Sequence, residues 1–259
     1  LANLSSHDIS SISTGSRLNK HLVGVGKEKT GLQKIFQHKT KQAQSFCELH
    51  LANWLQSKEY KHSIVWCFEK TGVKPLKKSY EQLIKKLSID TIILVDGGVD
   101  SLIKGDEQEQ GTLLEDLTSL AGVSLLSENI DKYLISIGLG VETDIFYGDI
   151  LQNMAELTKK GAFYGSCSLT KDMAAYQFYK EALLYTQNHP DQLNSSVINS
   201  SIISATDGEY GNYHLTTKTE GSTLWINPLM SIYWCFDLTK VSQWNLLHTA
   251  LHNTKSFDD

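Results

Sequence analysis

The stretch Thr91-Ile-Ile-Leu-Val-Asp-Gly-Gly98 decides how this chain is read. Its first five residues include four β-branched side chains, which favour extended backbone because they pack well on a pleated surface. Asp96-Gly97-Gly98 then turns the chain. A short apolar run with no polar face predicts a strand buried on both sides, as in a parallel sheet. Working outward, Ser63-Ile-Val-Trp-Cys-Phe68 and Tyr133-Leu-Ile-Ser-Ile137 read the same way. Helical periods surround them: 41–56, a segment opened by Pro75, then 113–120, 144–159 stopped by Gly161, 170–187, 191–205 and 239–252. Thr223–Ile226 reads as a short strand, 207–222 as a loop or hairpin, and 5–40 as a long loop with a short helix near Thr30–Phe36. Strands alternating with helices predict one α/β domain over 1–259. Its sheet is expected to be parallel with helices on both faces, with 63–68, 91–95 and 133–137 as neighbouring strands.

Bulk properties narrow the function classes. Apolar residues make up 41% and charged residues 20% of 259, which is enough core to exclude disorder as the main state. A net charge of -5 lacks the basic footprint of a nucleic-acid binder. No apolar run approaches the ~20 residues of a membrane span, and no signal peptide opens the chain. Cys47, Cys67, Cys167 and Cys235 lie far apart with no CxxC spacing, so four free thiols and a cytoplasmic location are expected.

In parallel α/β sheets, ligands bind beyond the carboxyl ends of the strands. The richest loop there is Asp96-Gly-Gly-Val-Asp-Ser-Leu-Ile-Lys-Gly-Asp-Glu107. Asp96, Asp100, Asp106 and Glu107 place four carboxylates within twelve residues, and Gly97 and Gly98 let backbone come close to a ligand. Such a cluster suits general acid/base work, hydrogen bonds to sugar hydroxyls, or a hard cation such as Mg²⁺ held by Asp96, Asp100 and Asp106. Ser101 joins Gly97 and Gly98 as a cofactor-binding candidate. Gly138-Leu-Gly140 is a second loop that lets a phosphate approach a helix N-terminus. Glu48 is a further acid/base candidate. The competing structural reading makes Asp96 a turn cap, pairs Asp106 and Glu107 with Lys104, and makes Gly138–Gly140 a tight turn. His248 and His252 are spaced for one helix face but lack a third ligand, and no nucleophile–base pair accompanies Cys67 or Cys167.

The run Ile93–Glu107, Gly111-Thr112 and Glu115-Asp116 resembles the uncharacterised domain-of-unknown-function 1152 family. So do Phe46-Cys-Glu48, Ile137–Glu142, Ile226-Asn-Pro-Leu229 and Trp234-Cys-Phe-Asp237. The resemblance implies a Rossmann-like α/β domain. Family members usually begin with a glycine-rich loop after the first strand, and this chain opens Leu1-Ala-Asn-Leu4 without methionine. The first strand–loop–helix unit is therefore expected to be missing, with Leu1–Leu4 as the second strand. The function expected is an enzyme acting on a nucleotide- or sugar-phosphate-like small molecule through the acidic loop. The alternative is a non-catalytic small-molecule-binding or sensor domain.

Overall fold

The computed structural model describes residues 2–4, 22–25, 47–59, 64–107, 113–142, 145–190, 192, 195–221 and 223–259. The expected loop over 5–40 lies outside them apart from Leu22–Val25, as does the short helix near Thr30–Phe36.

Three strands form one sheet in the order β1-β3-β2: β1 (Ala2–Leu4), β2 (Leu22–Val25) and β3 (Val65–Glu69). β1 runs parallel to β3 and β2 antiparallel to it. Four strands form a second sheet in the order β4-β5-β7-β6: β4 (Thr91–Gly97), β5 (Asp131–Ile137), β6 (Phe163–Ser168) and β7 (Ile232–Asp237). β4 and β5 are parallel, whereas β7 is antiparallel to both β5 and β6. The architecture is thus α/β with a mixed, open sheet.

This corrects the parallel-sheet expectation in three respects. β3 pairs with β1 and β2 and not with β4. An apolar run reports burial but carries no information about its neighbour, so adjacency was beyond it. β6 and β7 escaped the reading altogether. β6 is Phe-Tyr-Gly-Ser-Cys-Ser, an edge strand with no apolar run, and its place comes from pairing to β7 around a bulge between Phe163 and Gly165. Finally, β4 is buried on one face only: Ile93 and Val95 are 52% and 61% exposed. The opposite face carries a row of partners, Leu94–Leu134–Phe236–Phe163, directed into the core.

The helices are α1 (Cys47–Ser57), α2 (Val73–Leu87), α3 (Leu114–Ser124), α4 (Tyr147–Lys159), α5 (Ala174–Gln187), α6 (Val197–Asp207), α7 (Leu238–Trp244) and α8 (His248–Leu251). Pro75 sits in the first turn of α2, where a missing N–H costs nothing. Ser196 caps α6 by accepting the Asn199 amide, and Gly208 ends it with φ +92°. The helix expected over 239–252 is split at Asn245, which leaves helical backbone to accept no further turn. Thr223–Ile226 is not a strand; a single bridge joins Ile226 to Gly211.

One core takes side chains from both sheets: Trp66 and Phe68 of β3 pack with Leu76 and Tyr80 of α2, Leu117 and Leu120 of α3, and Leu134 and Phe236. The four cysteines form no disulfide. No helix of the described residues is long and apolar enough to cross a membrane.

Candidate functional site

Side chains alternate along a strand, so Asp96 points to the same face as Ile92 and Leu94 and is buried at the carboxyl end of β4. The chain beyond it is held to the end of β5. The Gly98 amide donates to the Ile137 carbonyl at 2.8 Å, and Ser136 Oγ donates to the Gly98 carbonyl at 2.8 Å. A single turn of 3₁₀ helix, Asp100–Leu102, then folds back over Asp96. Ser101 donates twice to Asp96 Oδ2, through its amide at 3.2 Å and its hydroxyl at 2.5 Å.

Three more carboxyls meet Asp96 here. Asp100 is buried in the 3₁₀ turn. Asp116 lies in the first turn of α3. Glu142 follows the turn after β5, and its Oε2 accepts the Val99 amide at 3.0 Å. Burial pushes the Asp96 carboxyl up to about 6, against the Ser101 bonds that favour its charge. Burial, reinforced by Asp96 and Asp100, pushes Asp116 up to about 8. Burial, reinforced by Asp100, likewise takes Glu142 up to about 8 although the Val99 amide opposes it. Taking a carboxylate out of water and setting it beside others both favour the neutral acid. Among the described residues no basic side chain forms an ion pair with Asp96, Asp116 or Glu142. A cavity of about 150 Å³ opens beside Asp96 and Asp116, lined by Ile93–Asp96, Ser101, Asp116, Ser119, Leu120, Leu134 and Tyr80; Glu142 is not among its lining residues.

The acidic loop therefore divides. Asp96 and Asp100 join the cluster, while Asp106 and Glu107 do not. Glu107 accepts the amides of Lys104 and Gly105 at 2.7 and 2.8 Å and the Asn153 side-chain amide at 2.6 Å. Burial alone would raise its pKa, but these donors more than offset that and hold it below the ordinary range. The Asp106 side chain is 58% exposed, 3.8 Å from Lys104 Nζ, which lies closer to Glu156 at 3.2 Å. Glu48, on α1, lines a different cavity of about 400 Å³ with Leu51, Val65, Tyr179 and Leu183.

Gly97, Gly138 and Gly140 lie against neighbouring side chains. A side chain on Gly97 or Gly138 would meet Ile198 of α6 at 3.6 or 3.5 Å, and one on Gly140 would meet the Asn227 amide at 3.2 Å. Ser101 is engaged with Asp96. In this arrangement the donor set does not fit Mg²⁺. Asp96 and Glu142 each commit an oxygen to protein donors, and among the described residues no three Asp, Glu, His or Cys side chains are disposed to share one metal ion.

Asp116 and Glu142 were not singled out from the sequence. Each lies one βα connection away from a strand end, Asp116 at the start of the helix after β4 and Glu142 just past β5. Because β4 and β5 are parallel neighbours, the connections that follow them leave the same edge of the sheet, and that is the signal that could have found them.

No curated protein matches the chain, and no solved structure matches it. The family described as Protein of unknown function (DUF1152) matches residues 15–259. With that match over most of its length, the chain belongs to the DUF1152 family.

Proposed function

We propose that the cleft lined by Asp96 and Asp116 binds a small molecule through its hydroxyl groups, of sugar or nucleoside type, and performs acid–base chemistry on it. The observation that carries this reading is a cavity lined by two buried carboxyls, Asp96 and Asp116, with pKa values pushed up to about 6 and about 8. Proton transfer is most efficient when the group's pKa lies near the working pH. Carboxyls whose acidities are pushed apart divide the roles. Asp96, the stronger acid, accepts a proton from a ligand hydroxyl as base. Asp116, neutral at pH 7, donates one as acid. Ionised carboxylates accept hydrogen bonds from hydroxyls and amines, so donor-rich ligands suit the cleft. A ligand phosphate meets like charge there, so a nucleotide or sugar phosphate would place its sugar inward and its phosphate toward solvent. The same acceptors would hold a ligand without turnover in a sensor, and turnover separates the two.

The test is a ligand-observed NMR and thermal-shift screen with ribose, glucose and adenosine as probes. At least one probe should bind the wild-type chain, with binding lost in Asp116→Asn and retained in Glu107→Gln. No binding by any probe, or equal binding by all variants, defeats the reading.

A further inference from the structure

We infer that Cys167 and Cys235 are a redox-active pair: two thiols on one face of the β6–β7 ladder that a peroxide closes to a disulfide and a thiol reductant reopens. The inference rests on strand register, and it stands whether or not the cleft binds a sugar.

Residues two apart on a strand share a face, and so do residues directly opposite on neighbouring strands. In the antiparallel β6–β7 ladder Gly165 lies opposite Cys235 and Cys167 lies opposite Tyr233. All four therefore share one face. Trp234 and Phe236, the alternate residues of β7, pack with the core, so the two cysteines sit on the other side of the sheet. They are diagonal neighbours, and the sulfurs already interact. Burial raises the Cys235 thiol above its ordinary pKa, and Cys167 adds to this through its charge and a hydrogen bond.

Diagonal Cα atoms in such a ladder are about 7–8 Å apart, with the side chains somewhat closer. A disulfide needs roughly 4.4–6.8 Å between Cα atoms, so closure asks β6 to move toward β7 by about 1 Å. The local backbone has room for that. β6 carries a bulge between Phe163 and Gly165. Gly165 has φ +122°, and nothing beyond its chain neighbours lies within 4 Å of where its side chain would be. The space beside both thiols is thus open, and a backbone of this kind shifts at little cost.

Exposure sets the order of events, since Cys167 is exposed and Cys235 half-buried. The Cys167 thiolate attacks one oxygen of hydrogen peroxide, and the O–O bond breaks. Cys167 becomes a sulfenic acid, and the departing hydroxide leaves as water with the proton that the Cys167 thiol gave up. The Cys235 sulfur then attacks the Cys167 sulfur. The S–O bond breaks, the S–S bond forms, and the hydroxyl leaves with the Cys235 proton as a second water. Two thiols and one peroxide give one disulfide and two waters, the sulfurs losing the two electrons that the peroxide gains. The other cysteines provide the contrast. Burial, with the Glu48 charge beside them, pushes Cys47 and Cys67 up to about 12. Both stay thiols at pH 8, and the thiolate is the reactive form.

The test treats the full chain with hydrogen peroxide at pH 8, blocks remaining thiols with iodoacetamide under denaturing conditions, and maps the peptides by mass spectrometry. The Cys167 and Cys235 peptides should be recovered joined and two hydrogens lighter than their sum, with Cys47 and Cys67 alkylated. Dithiothreitol should restore alkylation of both joined cysteines. In Cys235→Ser the sulfenic acid has no thiol to meet, so dimedone, which traps it, should label Cys167 several-fold more than in the wild-type chain. If that variant does not fold, Cys167→Ser decides: Cys235 should then stay alkylatable after peroxide. Several results overturn the inference: both cysteines still alkylated in the wild-type chain, Cys167 carried on to sulfinic acid with Cys235 untouched, a disulfide that joins two chains on non-reducing electrophoresis, or Cys47 and Cys67 reacting equally. Equal dimedone labelling of Cys235→Ser and wild type overturns it as well, as does loss of the Cys235 thiol in Cys167→Ser.

Discussion

The carboxylate of Glu142 occupies the space that a side chain on Gly98 would need. A Cβ built there would lie 2.7 Å from Oε1 and 2.9 Å from Oε2, and the backbone at Gly98 has φ +147°. Gly98 thus lets the end of β4 approach Glu142 closely enough for the Val99 amide to bond it. Gly98→Ala should destabilise the chain by about 1–3 kcal/mol, through backbone strain and displacement of the carboxylate. Adding Glu142→Ala should recover part of that loss. Denaturant titration of the single and double variants measures both. If the two losses simply add, the contact is not what constrains Gly98.

Glu107 has a structural role, as the staple of the loop that carries Lys104 and Gly105. Glu107→Ala should cost about 2 kcal/mol, since it strands two amides and the buried Asn153, which would keep only its bond to the Leu102 carbonyl. The melting temperature should fall while binding of a probe sugar in the cleft is unchanged. Loss of binding without loss of stability would return Glu107 to the site.

These two positions show how far the sequence reaches. The strand Thr91–Val95 and the turn after it were legible because a β-branched run ending in Asp-Gly-Gly has one local meaning. Membership of the cluster was not. Asp96, Asp100, Asp106 and Glu107 are equivalent as letters, and only the 3₁₀ turn at Asp100–Leu102 separates the first pair from the second. Asp116 and Glu142 join through long-range geometry that no spacing expresses. Strand direction was equally silent: Ile232–Asp237 enters between β5 and β6 antiparallel to both, and its residues would look the same in either sense.

The carboxyl cluster should make stability fall with rising pH. Asp96, Asp116 and Glu142 have folded pKa values raised above their ordinary ones, to about 6, 8 and 8. Between their unfolded and folded pKa values the folded chain holds more protons than the unfolded one. Their contribution is complete below about pH 4 and is lost as pH rises to about 8. Asp116→Asn, which cannot ionise, should raise the melting temperature at pH 8 by ~2–4 °C and have less effect at pH 5. A lower melting temperature at pH 8 would mean that the Asp116 charge is stabilising and compensated.

The His248–His252 pair acts in the opposite sense. Their Nε2 atoms are 2.9 Å apart, and Ser242 Oγ lies 2.8 Å from His248 Nδ1. At this distance one imidazole donates a hydrogen bond to the other. Burial, with His252 beside it, holds His248 below the ordinary histidine range. Its contribution is present above about pH 6.5 and is lost as pH falls through the lower folded value. His252→Leu should lessen the acid-induced fall in melting temperature between pH 6.5 and 5. An unchanged slope would show that the pair is not what resists protonation.

The most direct measurement of the central claim is a carbon-13 NMR titration of the side-chain carboxyls from pH 3 to 9, assigned with Asp96→Asn, Asp116→Asn and Glu142→Gln. Asp96, Asp116 and Glu142 should titrate well above the ordinary carboxylate range, and the Asp116 and Glu142 midpoints should move down when Asp96 is neutralised. Three independent midpoints near 4, unaffected by the neighbouring substitutions, would contradict it.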